Sequence, residues 1–274
     1  MSTLMSLGTT KPTTLRRRNG RRGKLFLAGA SGAIGQRLIP LLLADGWSVM
    51  GMTRFPERAT AMRRLGIETV VADAFDAAGV MAALSKFLPD VLVHQLTDLP
   101  RDLAELNDEA LERNARLRWI GTRNLVAAAR DVGIARIVAQ SIAFDYAPGP
   151  LPHREADQLA GRLDNASSSS NGVIGLEDQV VGLGIPFVIL RYGRLYGPGT
   201  GSDRPWGAAP VHVDAAAYAA ALASRTDIEG IFNIAERDGE VDSTLAETRL
   251  GWTPGFRGWQ GPAAPQLQLS FRKS

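Results

Sequence analysis

Cysteine is absent from the 274-residue chain, which removes disulfides, thiolate catalysis and cysteine-based metal sites together. The cytoplasm is the expected compartment. Histidine occurs only at His94, His153 and His212, far apart and with no i,i+4 pair, so no metal site is expected. Lysine stands only at Lys11, Lys24, Lys86 and Lys273, and no side chain between residues 87 and 272 can supply an ammonium group. No apolar run approaches the ~20 residues that a membrane span requires. The longest, around Leu38 to Ala44, is interrupted by Pro40 and suits a helix of a soluble protein better.

The formal charge of +3 conceals an uneven distribution. Residues 1–23 hold six cations (Lys11, Arg16, Arg17, Arg18, Arg21 and Arg22) and no acid, so the remainder stands at +3 less six, or −3. A mildly acidic body gives no reason to expect a nucleic-acid partner. Residues 1–23 are expected to form a disordered basic leader. Paired arginines before an apolar stretch also mark export signals, but here that stretch is already required as the first strand and helix of the fold. Length and a hydrophobic content of 45% suit one α/β domain, residues 24–274, with a small appended lobe.

The strongest pattern begins at Lys24-Leu25-Phe26-Leu27-Ala28, a strand-like run that feeds into Gly29-Ala30-Ser31-Gly32-Ala33-Ile34-Gly35 and then into an apolar-periodic helix. Strand, glycines and helix in that order predict a dinucleotide-phosphate site. The glycines supply a tight turn, room for the pyrophosphate and close packing of helix on sheet. The helix N-terminus adds free N–H groups and a positive dipole end. Gly29, Ser31, Gly32, Ala33, Ile34 and Gly35 are therefore the expected phosphate-binding residues.

Beyond this point β-rich runs alternate with helical patterns, the signature of βαβ units. Strands are predicted at Lys24–Ala28, Trp47–Thr53, Glu68–Ala72, Val91–Gln95, Arg136–Gln140 and Phe187–Arg191. Helices are predicted at Gly32–Asp45, Pro56–Leu65, Ala77–Phe87, Leu103–Val132 and Gly172–Leu183, with Asp45-Gly46, Gly66, Gly133 and Gly184 as stops. The fold class is α/β, a doubly wound parallel (Rossmann) sheet with a small C-terminal substrate lobe. Segments 145–172 and 194–274 are assigned to that lobe. Residues 147–171, with the run Ser167–Ser170, read as a mobile loop over the site or a plain surface insertion.

Ligands of such sheets lie beyond the strand carboxyl ends. The second strand ends in Thr53-Arg54, with Arg58 one turn on, and an arginine there suits the 2′-phosphate of NADP, NAD remaining possible. After the third strand, Asp73-Ala74 stands where an adenine-contacting pair would lie, although Asp73 also suits a helix N-cap. Asn114 lies on the apolar stripe of the long helix with Leu106, Ala110, Leu117, Gly121, Leu125 and Ala128. A structural bond from that amide to nearby backbone is expected. His94 and His212 read as structural histidines.

The chain resembles the extended short-chain dehydrogenase/reductase family, which includes sugar-nucleotide epimerases and dehydratases, and more closely its atypical branch. The resemblance covers about Lys24 to Arg257. It rests on Gly29–Gly35, Gly121-Thr122-Arg123-Asn124-Leu125, Gln140-Ser141, Leu190-Arg191-Tyr192-Gly193 with Tyr196-Gly197-Pro198-Gly199, and Val211-His212-Val213-Asp214-Ala215. It implies that Leu96 approaches the cofactor, that Arg191, Tyr192 and Gly193 sit beside the nicotinamide, and that Val211–Asp214 borders the substrate lobe. It also implies a possible homodimer formed through the long helix.

The departures are chemical. The resemblance implies a Ser or Thr, a Tyr, a Lys four residues after that Tyr, and an Asn in the long helix. The tyrosines here are Tyr146, Tyr192, Tyr196 and Tyr218, and four residues later stand Pro150, Tyr196, Thr200 and Leu222. The Tyr–Lys pair is absent, the Asn position holds Arg118, and Ser141 survives. An unassisted phenol, titrating near ~10, can donate a proton in reduction but is a poor base for oxidation. Ser141, Tyr146 and Asp145 are the catalytic candidates.

The expected activity is that of an atypical NADP-dependent reductase of a small or medium carbonyl or enone compound. A non-redox lyase, isomerase or cyclase on the same fold, with Asp145, Tyr146 or His153 as acid–base groups, is the alternative, as is a non-catalytic NADP-binding sensor. Phe144, Tyr146, Tyr192, Tyr196 and Trp206 suit an apolar or aromatic small-molecule ligand. Arg191, Arg194 and Arg204 keep a sugar nucleotide open.

Overall fold

The computed structural model describes residues 22–100 and 102–258, so the expectation for the basic leader falls almost wholly outside the described residues. Seven strands form one parallel sheet: β1 (Lys24–Ala28), β2 (Ser48–Thr53), β3 (Glu68–Val71), β4 (Val91–His94), β5 (Arg136–Ile142), β6 (Phe187–Tyr192) and β9 (Gly230–Ile234). The spatial order is β3-β2-β1-β4-β5-β6-β9, with every pairing parallel. The order reverses between β1 and β4, which puts a ligand crevice at their carboxyl ends. A separate two-stranded parallel sheet pairs β7 (Arg194–Tyr196) with β8 (Pro210–His212).

The strands read as continuous apolar runs because both faces are covered. Side chains alternate between two cores. Leu25, Leu27, Val91, Val93, Val138, Val188 and Leu190 share one with α1 (Ala33–Ala44) and α7 (Val213–Arg225). Phe26, Ala28, Leu92, Ile137, Ala139 and Ile189 share the other with α3 (Ala77–Phe87), α5 (Thr122–Val132) and α6 (Ser168–Val181). The period of two therefore decides which helix layer each residue meets. The short helix α2 (Pro56–Arg63) sits between β2 and β3, with Pro56 in its first turn.

The helix expected at Leu103–Val132 is built in parts. Residues Leu103–Glu105 form a short 3₁₀ turn, and α4 (Asp108–Arg116) starts after Asn107, whose side chain accepts from the Ala110 N–H at 2.9 Å. A π-turn at Leu117–Gly121 then joins α4 to α5. Gly133 stops α5 with a left-handed φ of 73°, as its position predicted.

Helix α6 begins four residues earlier than the periodicity suggested. Ser167 is its N-cap, accepting from the Ser170 N–H at 3.1 Å, so the serine run expected as loop is a cap and first turn. Helix α7 and strands β7, β8 and β9 were not predicted from sequence. Helix α7 lacks amphipathic contrast because nearly all its residues are buried alanines and other small or apolar side chains. Strand β9 is short, and Asn233 interrupts its apolar pattern. Among the described residues, no helix is long and apolar enough to cross a membrane.

Candidate functional site

The turn after β1 has the shape that a dinucleotide phosphate requires. Gly29 adopts φ 89°, and a Cβ there would lie 2.4 Å from the Gln95 carbonyl oxygen, so both conformation and space demand glycine. At Gly35 a Cβ would lie 2.4 Å from the Gly29 carbonyl oxygen and 2.7 Å from that of Ala30, so α1 packs directly on the turn. Gly32 is the N-cap of α1 and offers no side-chain acceptor, leaving the first-turn amides of Ala33, Ile34 and Gly35 to a ligand. Ser31 Oγ lies 3.1 Å from Thr53 Oγ1 and ties the turn to the end of β2. The cradle fits a pyrophosphate.

The adjoining strand ends carry the other expected cofactor residues. Arg54 donates to Asp98 Oδ1 at 2.6 Å and lies 5.0 Å from the Phe55 ring, whose centroid is 3.9 Å from the Arg58 guanidinium carbon. Asp73 accepts from the Phe75 N–H at 2.9 Å, whereas the side-chain cap of α3 is Asp76, accepting from the Gly79 N–H at 3.0 Å. Ala74 is buried, and its carbonyl accepts from Asn124 at 2.9 Å.

Leu96 donates its N–H to His94 Nδ1 at 3.2 Å, which leaves the imidazole proton on Nε2, 2.9 Å from Thr122 Oγ1. Burial, aided by Arg118, pushes His94 down to about 4, so it is a neutral structural group at the base of the crevice. Asn114 Oδ1 accepts from the Asp98 N–H at 2.9 Å, the backbone bond its sequence position predicted.

The residues after β5 divide between two surroundings. Ser141 is buried and donates to Glu177 Oε1 at 2.6 Å. Glu177 accepts two hydrogen bonds from Arg191, at 2.9 and 2.7 Å, both side chains being buried. Burial alone would lower Arg191, but Glu177 outweighs it and holds the guanidinium above its ordinary range. Arg191, expected at the reacting end, is thus half of an internal ion pair with Glu177, and Ser141, expected there too, is hydrogen-bonded to the same carboxylate. Tyr192 is also core, with its hydroxyl 3.4 Å from Gln95 Nε2, and burial raises its pKa. Gly193 lies against the Ala209 carbonyl oxygen, only 1.9 Å from where a Cβ would stand.

Tyr146 donates its hydroxyl to Asn233 Oδ1 at 2.7 Å and accepts from Arg191 at 3.0 Å, while its ring stacks on His153 at 4.9 Å. Burial raises the phenol, with Arg191 opposing. The phenolic oxygen is thus engaged by two protein groups, and Tyr146 and His153 both line the cleft. Asp145 is bound to the first turn of α6. Its Oδ1 accepts from Ser170 at 2.7 Å, its Oδ2 is buried without a hydrogen-bond partner, and burial raises its pKa. Arg118, in the π-turn, is nearby in charge terms; burial lowers it to about 10, with Asp145 and Glu177 opposing.

A cleft of about 150 Å³ opens beside these groups, lined by Phe144, Tyr146, His153, Arg194 and Ala209 among others. Lys24 and Lys86 are remote from it. Lys24 opens β1 and donates to the Phe87 carbonyl at 3.0 Å, and Lys86 lies in the last turn of α3, both at the amino end of the sheet. No group of three or more His, Asp or Glu among the described residues is placed to hold a metal.

Sequence reasoning missed Glu177, Asn233 and Glu155. Glu177 carried a signal, since it shares a helical stripe with the buried Val173 and Val180. Asn233 and Glu155, joined by a 2.9 Å bond from the Asn233 N–H, lie in a strand and a loop with no such periodicity.

Residues 29–223 match a family model described as NAD(P)H-binding. A 3-diazoavenalumate denitrifying reductase of a Streptomyces species is 42% identical over 189 residues, covering 68% of this chain and 60% of that protein. The match thus spans less than two thirds of the relative's length. The Bordetella bronchiseptica enzyme WbmG, solved with NAD, superposes with a TM-score of 0.71 at 17% identity, over 87% of this chain and 91% of that one. A UDP-glucose 4-epimerase from Thermotoga maritima gives 0.70 at 16% identity, over 85% and 94%. At these identities the two structures establish the shared fold.

Proposed function

The chain belongs to the NAD(P)H-binding family, and on that footing we propose that it is an NADP-dependent reductase acting on an electron-poor aromatic compound. The observation that carries this reading is the state of the one phenol at the cleft. Tyr146 spends its proton on Asn233 and accepts from Arg191, and among the described residues no lysine hydrogen-bonds to it. Carbonyl reduction needs a proton delivered to oxygen as the hydride arrives. A diazo group does not, because dinitrogen is expelled as the electrons enter.

The Streptomyces relative is named for such a denitrification, and that name supports our putting diazo-substituted aromatic acids first among the proposed substrates. When bound, the nicotinamide would supply a hydride to an aryldiazonium cation, so that the aryl C–N bond breaks, N₂ leaves, hydrogen replaces it on the ring and the positive charge passes from the substrate to the coenzyme. Gly29, Gly32, Ala33, Ile34 and Gly35 hold the pyrophosphate, and Arg54 with Arg58 favours the 2′-phosphate form. Leu96 and Gly193 border the ring end of the coenzyme, and Tyr146 forms a wall of the substrate cleft.

Reduction of a carbonyl or enone is the second reading. Asp145 favours it: this partly buried carboxyl, next in the chain to the cleft-lining Phe144 and Tyr146, has a raised pKa and one unpaired oxygen and would serve as the acid. Incubation with NADPH or NADH and a panel of 3-diazoavenalumate, aromatic ketones and enones, with products read by mass spectrometry, tests both readings. Denitrified product with equimolar NADPH loss supports the first, and alcohol or saturated ketone supports the second. Substrate conversion without coenzyme loss contradicts both and returns the chain to the non-redox class.

A further inference from the structure

Arg194, the guanidinium in the cleft lining, lies between aromatic walls and makes no ion pair with a carboxylate among the described residues. Its side chain lies between Phe144 and Trp206, with the guanidinium carbon 4.2 Å and 4.9 Å from the two ring centroids. Among the described residues it makes no ion pair and no side-chain hydrogen bond, while the neighbouring Arg191 is consumed by Glu177. The sandwich is built rather than incidental. Trp206 is fixed by a 3.1 Å bond from Nε1 to the Leu195 carbonyl, and the Arg194 N–H is fixed at 2.8 Å to that of Ala209. Gly207 has φ 62°, and a Cβ there would lie 2.6 Å from Arg194 Cδ, so glycine is what lets the side chain lie flat. Burial without an anion lowers its pKa, the sign of a cation in want of a counter-charge.

We propose that Arg194 is the carboxylate-recognising residue of the cleft, taking the acid end of an aromatic substrate bidentately while Phe144 and Trp206 cover the guanidinium faces. A planar fork held between rings presents its N–H edge in one direction, which is the geometry that a carboxylate requires. A single cation, with Glu240 also lining the cleft, suits one negative charge better than a diphosphate. The inference deepens the proposed reductase reading and names the polar end of its substrate.

Binding to the NADP⁺-saturated protein tests it without turnover, so it succeeds or fails apart from the reductase reading, which NADPH consumption tests. The probes are 4-hydroxycinnamate, its methyl ester and UDP, followed by calorimetry. The wild type is expected to bind the acid about tenfold more tightly than the ester. Arg194→Met is expected to abolish that difference while leaving NADP⁺ affinity and ester affinity unchanged, and Arg194→Lys to restore part of it. Trp206→Leu, which keeps the charge but frees the guanidinium, is expected to weaken acid binding severalfold. Equal binding of acid and ester by the wild type would overturn the proposal, as would undiminished acid binding in Arg194→Met or a preference for UDP that depends on Arg194.

Discussion

Arg191 and Glu177 meet through two parallel hydrogen bonds, of 2.9 and 2.7 Å, inside the protein, with Ser141 donating to the same carboxylate at 2.6 Å. A buried pair of this kind is costly to break from one side, because the surviving charge is left uncompensated. Glu177→Leu is expected to lower stability by about 3–5 kcal/mol in chemical denaturation. Ser141→Ala, which removes only a donor from a carboxylate that keeps Arg191, is expected to cost about 1–2 kcal/mol.

The phosphate turn separates two glycines by their surroundings. A methyl at Gly35 would meet two backbone carbonyls at 2.4 and 2.7 Å, and neither can move without shifting α1 off the turn. Gly35→Ala is expected to cost about 1–3 kcal/mol of stability and to abolish measurable coenzyme binding. At Gly32 the nearest atom stands at 3.3 Å, so Gly32→Ala is expected to fold with a smaller loss. Thermal unfolding with and without NADPH reads both effects.

Coenzyme choice is expected to depend on Arg54 and the carboxylate that now holds it. Arg54→Ser should weaken NADPH binding about tenfold, the loss of one charge-assisted contact, while changing NADH binding less than twofold. Asp98→Ala, which frees the Arg54 guanidinium from its 2.6 Å bond, should shift the preference further toward NADPH. Fluorescence titration of both coenzymes checks the pair.

Acid sensitivity should trace to His94. Its folded-state pKa, about 4, lies below the ordinary 6.5, so the neutral ring contributes stability above pH 6.5 that is lost as pH falls through the folded value. Across that window the linkage amounts to at most roughly 3 kcal/mol. The pH dependence of the denaturation midpoint should flatten between 6.5 and 4 in His94→Gln.

Tyr146 distinguishes a proton donor from a wall. With its hydroxyl given to Asn233 and held by Arg191, Tyr146→Phe is expected to lower stability by about 1–2 kcal/mol and leave kcat within threefold. A general acid would instead lose about 10²–10⁴ in rate. Steady-state kinetics beside urea unfolding separates the two.

The sheet was legible because buried parallel strands and their capped helices follow local rules: Lys24–Ala28, the glycine turn and the Gly133 stop stand where sequence placed them. Helix α7 escaped because burial on all sides erases the amphipathic contrast that periodicity detects. The nucleotide turn was readable for the same local reason. The catalytic end was not, since whether Ser141, Tyr146 and Arg191 face a ligand or one another depends on Glu177 and Asn233, which lie 36 and 87 residues from their partners in the chain.

The most direct measurement mixes the NADPH-loaded protein with 3-diazoavenalumate under single-turnover conditions and follows the nicotinamide absorbance. The account predicts coenzyme oxidation in step with loss of the diazo group, slowed when deuterium occupies the reactive C4 position. A diazo group that disappears at the same rate with NADP⁺ or with no coenzyme, or one that persists beside bound and unoxidised NADPH, would contradict it.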